Sequence, residues 1–274
     1  MQYVDKTITM IKKTIINIPL KKSKKTGLAK YIHVLQLLLL TLYMVPAHGS
    51  DKFKFEYIEG QLSYIKQLTL GQYANNEDKR IIKWVNDINI YIEGDMSAYW
   101  SDVLDSLIIE INHIIDTTQL KRVASEDQAN YLIITGSAKK DYLNFHPNVP
   151  LNFGERFGNF LMLPNSDPER AIGGFLIYPN SDYEIIYGSM YIDFDMFGSN
   201  KYRRHILRQM LTQSLGIPYK SRKYSDSIFS NHPSGQVVIK YSNFDKTIIK
   251  SLYDECVKTG MDKFALDHVL INGC

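Results

Sequence analysis

The stretch from Tyr202 to Phe229, YRRHILRQMLTQSLGIPYKSRKYSDSIF, limits the fold more than any other part of the chain. Ile206, Leu207, Met210, Leu211 and Leu215 recur at helical spacing and paint one apolar stripe. A helix striped in this way must lie against another layer of structure. Ser199 and Asn200 both qualify as its N-cap. Gly216 follows the last apolar residue and Pro218 comes two later, which is the stop signal of a left-handed cap and a helix breaker. The spacing predicts a helix from about Tyr202 to Leu215.

What that helix lies against is written upstream. Ile88, Ile90 and Ile92 alternate with Asn89, Tyr91 and Glu93, the pattern of a strand with one buried face. Gly94-Asp95 closes this strand, and Ser97 can cap a helix whose stripe runs from Trp100 through Leu104, Leu107 and Ile111 to Ile115. His113 on that helix stands alone and reads as structural. Tyr131–Thr135 is a second strand. Phe175–Tyr178 and Tyr183–Asp195 are two more, joined by a turn at Pro179–Asp182. In the last of these Met190, Ile192 and Phe194 point one way, and Tyr191, Asp193 and Asp195 the other. Residues 139–170 are rich in Asn, Pro, Gly and Asp and read as a long irregular excursion with a short apolar piece at Phe160–Leu163. Tyr57 to Leu68 has roughly helical spacing. Gln236–Tyr241 reads as extended, Ser242 or Asn243 caps a helix to about Val257, and Met261–Leu270 is a final short helix. The order α, β, α, β, β, β, α, α, α gives the α+β class.

The organising helix and its turn resemble those of zinc metallopeptidases of the metzincin type, matrixins included. Gly216 matches the glycine that ends their helix, and Ser227-Ile228-Phe229 matches their methionine turn, with Phe229 in the methionine place. In that frame Gln209 and Gln213 occupy the two helix histidine positions, Met210 the general base and Tyr219 the third ligand. Gly188–Asp195 resembles the matrixin edge strand, and Asp245–Tyr253 the helix that closes the domain. A closer likeness is to a zincin-like family of secreted bacterial domains of unknown function, with the helix pattern H-x-x-x-E-E-x-x-Q-x-L-G. Here the pattern reads His205, Gln209-Met210, Gln213 and Leu215-Gly216, and Tyr224–Phe229, Leu68–Gly71, Arg80–Trp84 and Ile88–Gly94 extend it. The likeness runs from about Phe55 to Leu270. It implies a twisted mixed sheet packed on an N-terminal helix and a former active-site helix, with a helical C-terminal end.

Both ends of the chain bear on location. The chain carries +3 and its first fifty residues, with eight lysines against Asp5, carry +7, so the remainder carries −4. A mildly acidic body has no footprint for nucleic acid. The lysines precede the apolar run Tyr31–Val45, and small residues at Val45–Ala47 and Ala47–Gly49 offer cleavage points. Residues 1–49 therefore read as a secretory signal cleaved near 47–49, with an uncleaved anchor as the alternative. Residues 51–80 read as a helical lead-in and 81–274 as the zincin-like domain. A cleaved product would be secreted or periplasmic and free of the membrane. An oxidising compartment would allow Cys256 and Cys274 to pair; two free thiols are the alternative.

Function follows from the substitutions. A methionine accepts no proton, so Met210 cannot serve as general base. Glutamine amides are poor zinc ligands beside imidazole or carboxylate. His205, Gln209 and Gln213 share a helix face, and the glutamines are expected to form a hydrogen-bonded pair, with Tyr219 near, in place of a metal. The resemblance then implies an exported, catalytically inactive metallopeptidase-like domain. It would need no cofactor and would bind a peptide or protein in the cell envelope along a cleft of His205, Gln209, Gln213, Tyr219, Phe229, Tyr191 and Asp193. One alternative is an active zinc peptidase that uses His205 with His146 or His232; another is a structural envelope protein.

Overall fold

Ile88, Ile90 and Ile92 do enter a strand, β1 (Ile88–Glu93), and the stripe that follows does form a helix, α2 (Ala98–Asn112). The computed structural model describes residues 59–71, 79–136, 157–161, 173–195, 199–231 and 236–273. The chain divides into two units, Met1–Lys52 and Phe53–Cys274, and every described residue belongs to the second. The signal segment, His146, His232, Cys274 and most of the 139–170 excursion lie outside the described residues.

The remaining elements are α1 (Glu59–Leu70), β2 (Leu120–Arg122), β3 (Tyr131–Thr135), β4 (Phe157–Leu161), β5 (Gly173–Pro179), β6 (Ile185–Ile192), α3 (Asn200–Gln213), α4 (Asn243–Leu252) and α5 (Lys263–Asn272). The fold is mixed α/β. Its strands form one six-stranded mixed sheet in the order β2-β1-β3-β6-β5-β4. The first four run parallel, β5 runs antiparallel to them, and β4 runs antiparallel to β5.

Residues level with one another across the ladder share a face. Ile90, Tyr131, Gly188 and Ile177 form one such row, and Ile133, Met190 and Phe175 form part of the next. The large apolar members of these rows join the main core together with side chains from all five described helices. On the opposite face Leu132, Ile134 and Tyr191 form a small separate cluster. Ile206, Leu207, Met210 and Leu211 of α3 are buried in the main core. Each contributes on the order of 1.5–3 kcal/mol of burial free energy. Met210 lies directly on β5: a β-carbon at Gly173 would sit 2.6 Å from its Cε. Ser199 caps α3, its Oγ accepting from Tyr202 N at 3.2 Å. Gly216 ends it with φ +101°, and a β-carbon there would fall 2.2 Å from Ile82 O, so only glycine fits.

The segment Ile81–Trp84, outside any strand or helix, gathers distant parts of the chain. Gly260 N donates to Ile81 O (2.9 Å) and Ile81 N to Met261 O (2.8 Å). Ile185 N donates to Lys83 O (2.9 Å), and Trp84 Nε1 to Ser214 O at the end of α3 (2.9 Å). The buried Lys83 amine donates to Leu252 O (3.1 Å) and to Val257 O. Burial pulls its pKa down from 10.5 to about 8, with Lys258 adding to the pull and Asp254 opposing it.

Three expectations change. Gly188–Asp195 is not an edge strand: β6 lies between β3 and β5, with its backbone bonded on both sides. A peptide cannot add to a strand whose donors and acceptors are already taken. The helix expected to reach Val257 stops at Leu252, whose carbonyl accepts from Lys83 Nζ. Gln236–Tyr241 has no ladder partner and is not a strand. β2 and β4 were not foreseen.

Candidate functional site

Because α3 buries its apolar stripe against the sheet, its other side faces residues 217–231 and 236–241. His205, Gln209 and Gln213 stand in a row there, and all are buried. Gln209 is 2 % exposed, and its Nε2 donates to Ile228 O at 2.7 Å. Gln213 is 1 % exposed, and its Nε2 donates to Pro218 O at 3.2 Å. The glutamines therefore do not pair with each other. Each ties the helix separately to the backbone of the following loop. Tyr219 does not join them: its ring packs over Gly71, and its amide donates to Leu68 O at 3.3 Å. Phe229 is fully buried in the core.

His205 Nδ1 lies 3.0 Å from Val238 O and 3.2 Å from Val238 N. Protonated, that nitrogen donates to the carbonyl; bare, it accepts from the amide. Burial lowers the His205 pKa from the ordinary value. The nearby charges of Lys220 and Arg208 lower it further, while the bond to Val238 opposes the shift. The unfolded chain therefore binds a proton at His205 more readily than the folded one. The neutral ring's contribution is present above about pH 6.5 and is lost as pH falls below it. The melting temperature of the natural protein is expected to fall more steeply from pH 7.5 to 5.5 than that of His205→Gln. Parallel melting curves would remove His205 from this role.

These residues do not fit a catalytic zinc. Met210 points into the core, the two glutamine amides are spent on backbone carbonyls, and the imidazole is engaged by Val238. Among the described residues no group of three or more His, Cys, Asp or Glu is placed to hold a metal ion. Cys256 is disulfide-bonded; the chain's other cysteine, Cys274, lies outside the described residues.

Nor does the expected cleft hold together. Tyr191 belongs to the sheet face opposite the helices, 2 % exposed. Burial pushes its phenol above the usual range, and Asp193 adds to the effect. His205, Gln209, Gln213 and Phe229 lie on the helix side with Tyr219. One cleft cannot include both groups.

The carboxylate that organises the Ser227–Phe229 turn is Asp245, fully buried. Its Oδ1 accepts from Ser227 Oγ (2.6 Å) and Ile228 N (3.3 Å), and its Oδ2 from Ser242 N (3.0 Å) and Ser242 Oγ (2.9 Å). It completes the capping box of α4 and also holds the Ser227–Phe229 turn. Tyr64 of α1 adds a bond from its hydroxyl to Ser227 Oγ at 3.2 Å.

An open groove of about 470 Å³ lies elsewhere, between α2, α3 and residues 239–240. Asp102, Ser106 and Glu110 form one wall, and Arg204, Arg208 and Lys240 the other. Arg208 is 8 % exposed, with its guanidinium carbon 4.3 Å from the centre of the Tyr241 ring. Its Nη1 is 2.7 Å from Glu110 Oε2 but is not aligned as a hydrogen bond. The reading of the sequence passed over this groove. Its signal was the fourfold spacing of Asp102, Ser106 and Glu110, and of Arg204 and Arg208, on the polar sides of two striped helices. Among the described residues no helix is long and apolar enough to cross a membrane.

The model of the family DUF2927, described as a protein of unknown function, matches residues 61–271. This agrees with the expectation of an uncharacterised family. No curated protein matches the chain.

Proposed function

For a chain that belongs to the DUF2927 family, we propose a role in binding rather than catalysis, as an exported domain that holds a peptide or protein in the cell envelope. The observation that carries this reading is the fate of the former catalytic positions. Gln209, Met210 and Gln213 are each no more than 2 % exposed. The side-chain Nε2 groups of Gln209 and Gln213 donate to backbone carbonyls, and Met210 packs in the core. A helix face sealed in this way offers no activated water and no open ligand position, and peptidase chemistry with zinc requires both. The zincin-like resemblance then describes descent of the scaffold. Export rests on the lysine-rich start, the apolar run and the small residues near 47–49.

The test uses the full chain expressed with its own N-terminus. Mass spectrometry of the exported product is expected to give a start near residues 47–50. A mixed peptide library incubated with it is expected to remain intact, with or without added zinc. Zinc-dependent turnover would overturn the binding reading, and retention in the cytoplasm would overturn export.

A further inference from the structure

Two cations on the groove between α2 and α3, Arg204 and Lys240, are in no ion pair among the described residues. We propose that this groove is the binding site for an extended peptide segment, with a glutamate or aspartate side chain of that segment seated between Arg204 and Lys240. This inference rests on the peptide-binding reading above and gives it a location.

Four observations support it. First, Arg204 and Lys240 line the groove and have no acidic partner among the described residues. A carboxylate between them would make charge-assisted bonds at a partly exposed surface. Second, Arg208 behind them is buried against the Tyr241 ring and paired with Glu110 at 2.7 Å, so it is already engaged and leaves Arg204 and Lys240 as the cations open to a ligand. Third, Asp102, Ser106 and Glu110 succeed one another along two helical turns, about 12 Å. That length matches about three to four residues of extended chain and supplies acceptors for backbone N–H groups. Fourth, the apolar Val103, Leu107 and Ile239 lie among these charges, with the half-exposed ring of Tyr99 at one side. They give a neighbouring side chain a surface to rest on. A carboxylate at a chain terminus would sit at one end of such a groove. An internal side chain fits a ligand that runs its length.

The test is calorimetric titration of the full chain with three tetrapeptides. The first is acetylated and amidated alanine-glutamate-valine-alanine. The second replaces glutamate by glutamine. The third is the glutamine peptide with a free C-terminal carboxylate. The first is expected to bind at least tenfold more tightly than the other two, and its binding should weaken as salt is raised. Arg204→Gln with Lys240→Gln, both outside the core, is expected to lose at least tenfold of that affinity while melting within 2–3 °C of the natural protein, roughly the allowance for surface substitutions. Arg208→Lys gives a second readout, because it keeps the charge but loses the planar fork. Equal binding of the first two peptides, unchanged binding by the double variant, preference for the third peptide, or no binding at all would overturn the site. Recovery of cleaved peptide would instead overturn the non-catalytic reading, and the affinities of the variants would still report on the groove.

Discussion

Met210→Glu is expected to lower the unfolding free energy by about 3–5 kcal/mol at neutral pH and to leave the zinc content unchanged. The substitution writes back the carboxylate that the peptidase frame would require at this position. The side chain, however, lies against β5 with its Cε 2.6 Å from where a β-carbon of Gly173 would be, and it is 1 % exposed. A glutamate there gives up the methionine's contacts and brings a charge into the core with no cation to meet it. Its pKa in the folded state would rise above the unfolded value. The deficit is therefore smallest near pH 4, where the carboxyl is protonated in both states, and grows as pH rises toward neutrality. Urea unfolding at pH 5 and pH 8, with elemental analysis of the same samples, checks both parts. A variant as stable as the natural protein that gains one zinc per chain would restore the metallopeptidase reading.

Asp245→Ala is expected to cost a similar amount, about 3–5 kcal/mol, for the opposite reason. It removes a satisfied acceptor rather than adding an unsatisfied one. Ser227 Oγ, Ile228 N and the amide and hydroxyl of Ser242 all donate to this one carboxylate. Without it several buried donors lose their acceptor, and α4 loses half of its capping box. Asp245→Asn is the informative companion. It keeps the shape but presents one amide in place of an oxygen, so it should fall between alanine and the natural residue. A midpoint for Asp245→Ala within 1 kcal/mol of the natural protein, an allowance of the order expected for a surface change, would show that the turn is held by other means.

Much of the fold is legible in the sequence because each strong element carries its own period. The stripe from Trp100 to Ile115, the alternation of Ile88, Ile90 and Ile92, and the Gly216-Pro218 stop all give the right element type. Ser199 and Ser242 are also correctly among the caps considered. What local pattern lacks is neighbour order. Nothing within Gly188–Asp195 tells whether its ladder is filled on one side or both, and that alone decides between an edge strand and a central one. β2 is missed for a different reason. Only three residues long, it has both backbone groups of Leu120 held by the side chain of Asn112 at 2.8 Å, a tie made by a helix and invisible to alternation. The site was legible by elimination only. Gln209, Met210 and Gln213 already differ in the sequence from the ligand and base types of the peptidase pattern. The separation of Tyr191 from the helix residues, and the charged groove on the far side of α3, required the third dimension.

The convergence on Ile81–Trp84 also sets the order in which the molecule can be assembled. The amine of Lys83 finds its acceptors about 170 residues later in the chain, at Leu252 and Val257, and Ile81 exchanges backbone bonds with Gly260 and Met261. Closing so long a loop carries an entropic cost that only the finished contacts return. During synthesis the first strand and its helix therefore emerge well before the residues that anchor them. These ties cannot form until residues 252–261 have been made. The strand and helix that follow Ile81–Trp84 therefore precede, in the order of synthesis, the residues that fix that segment in place.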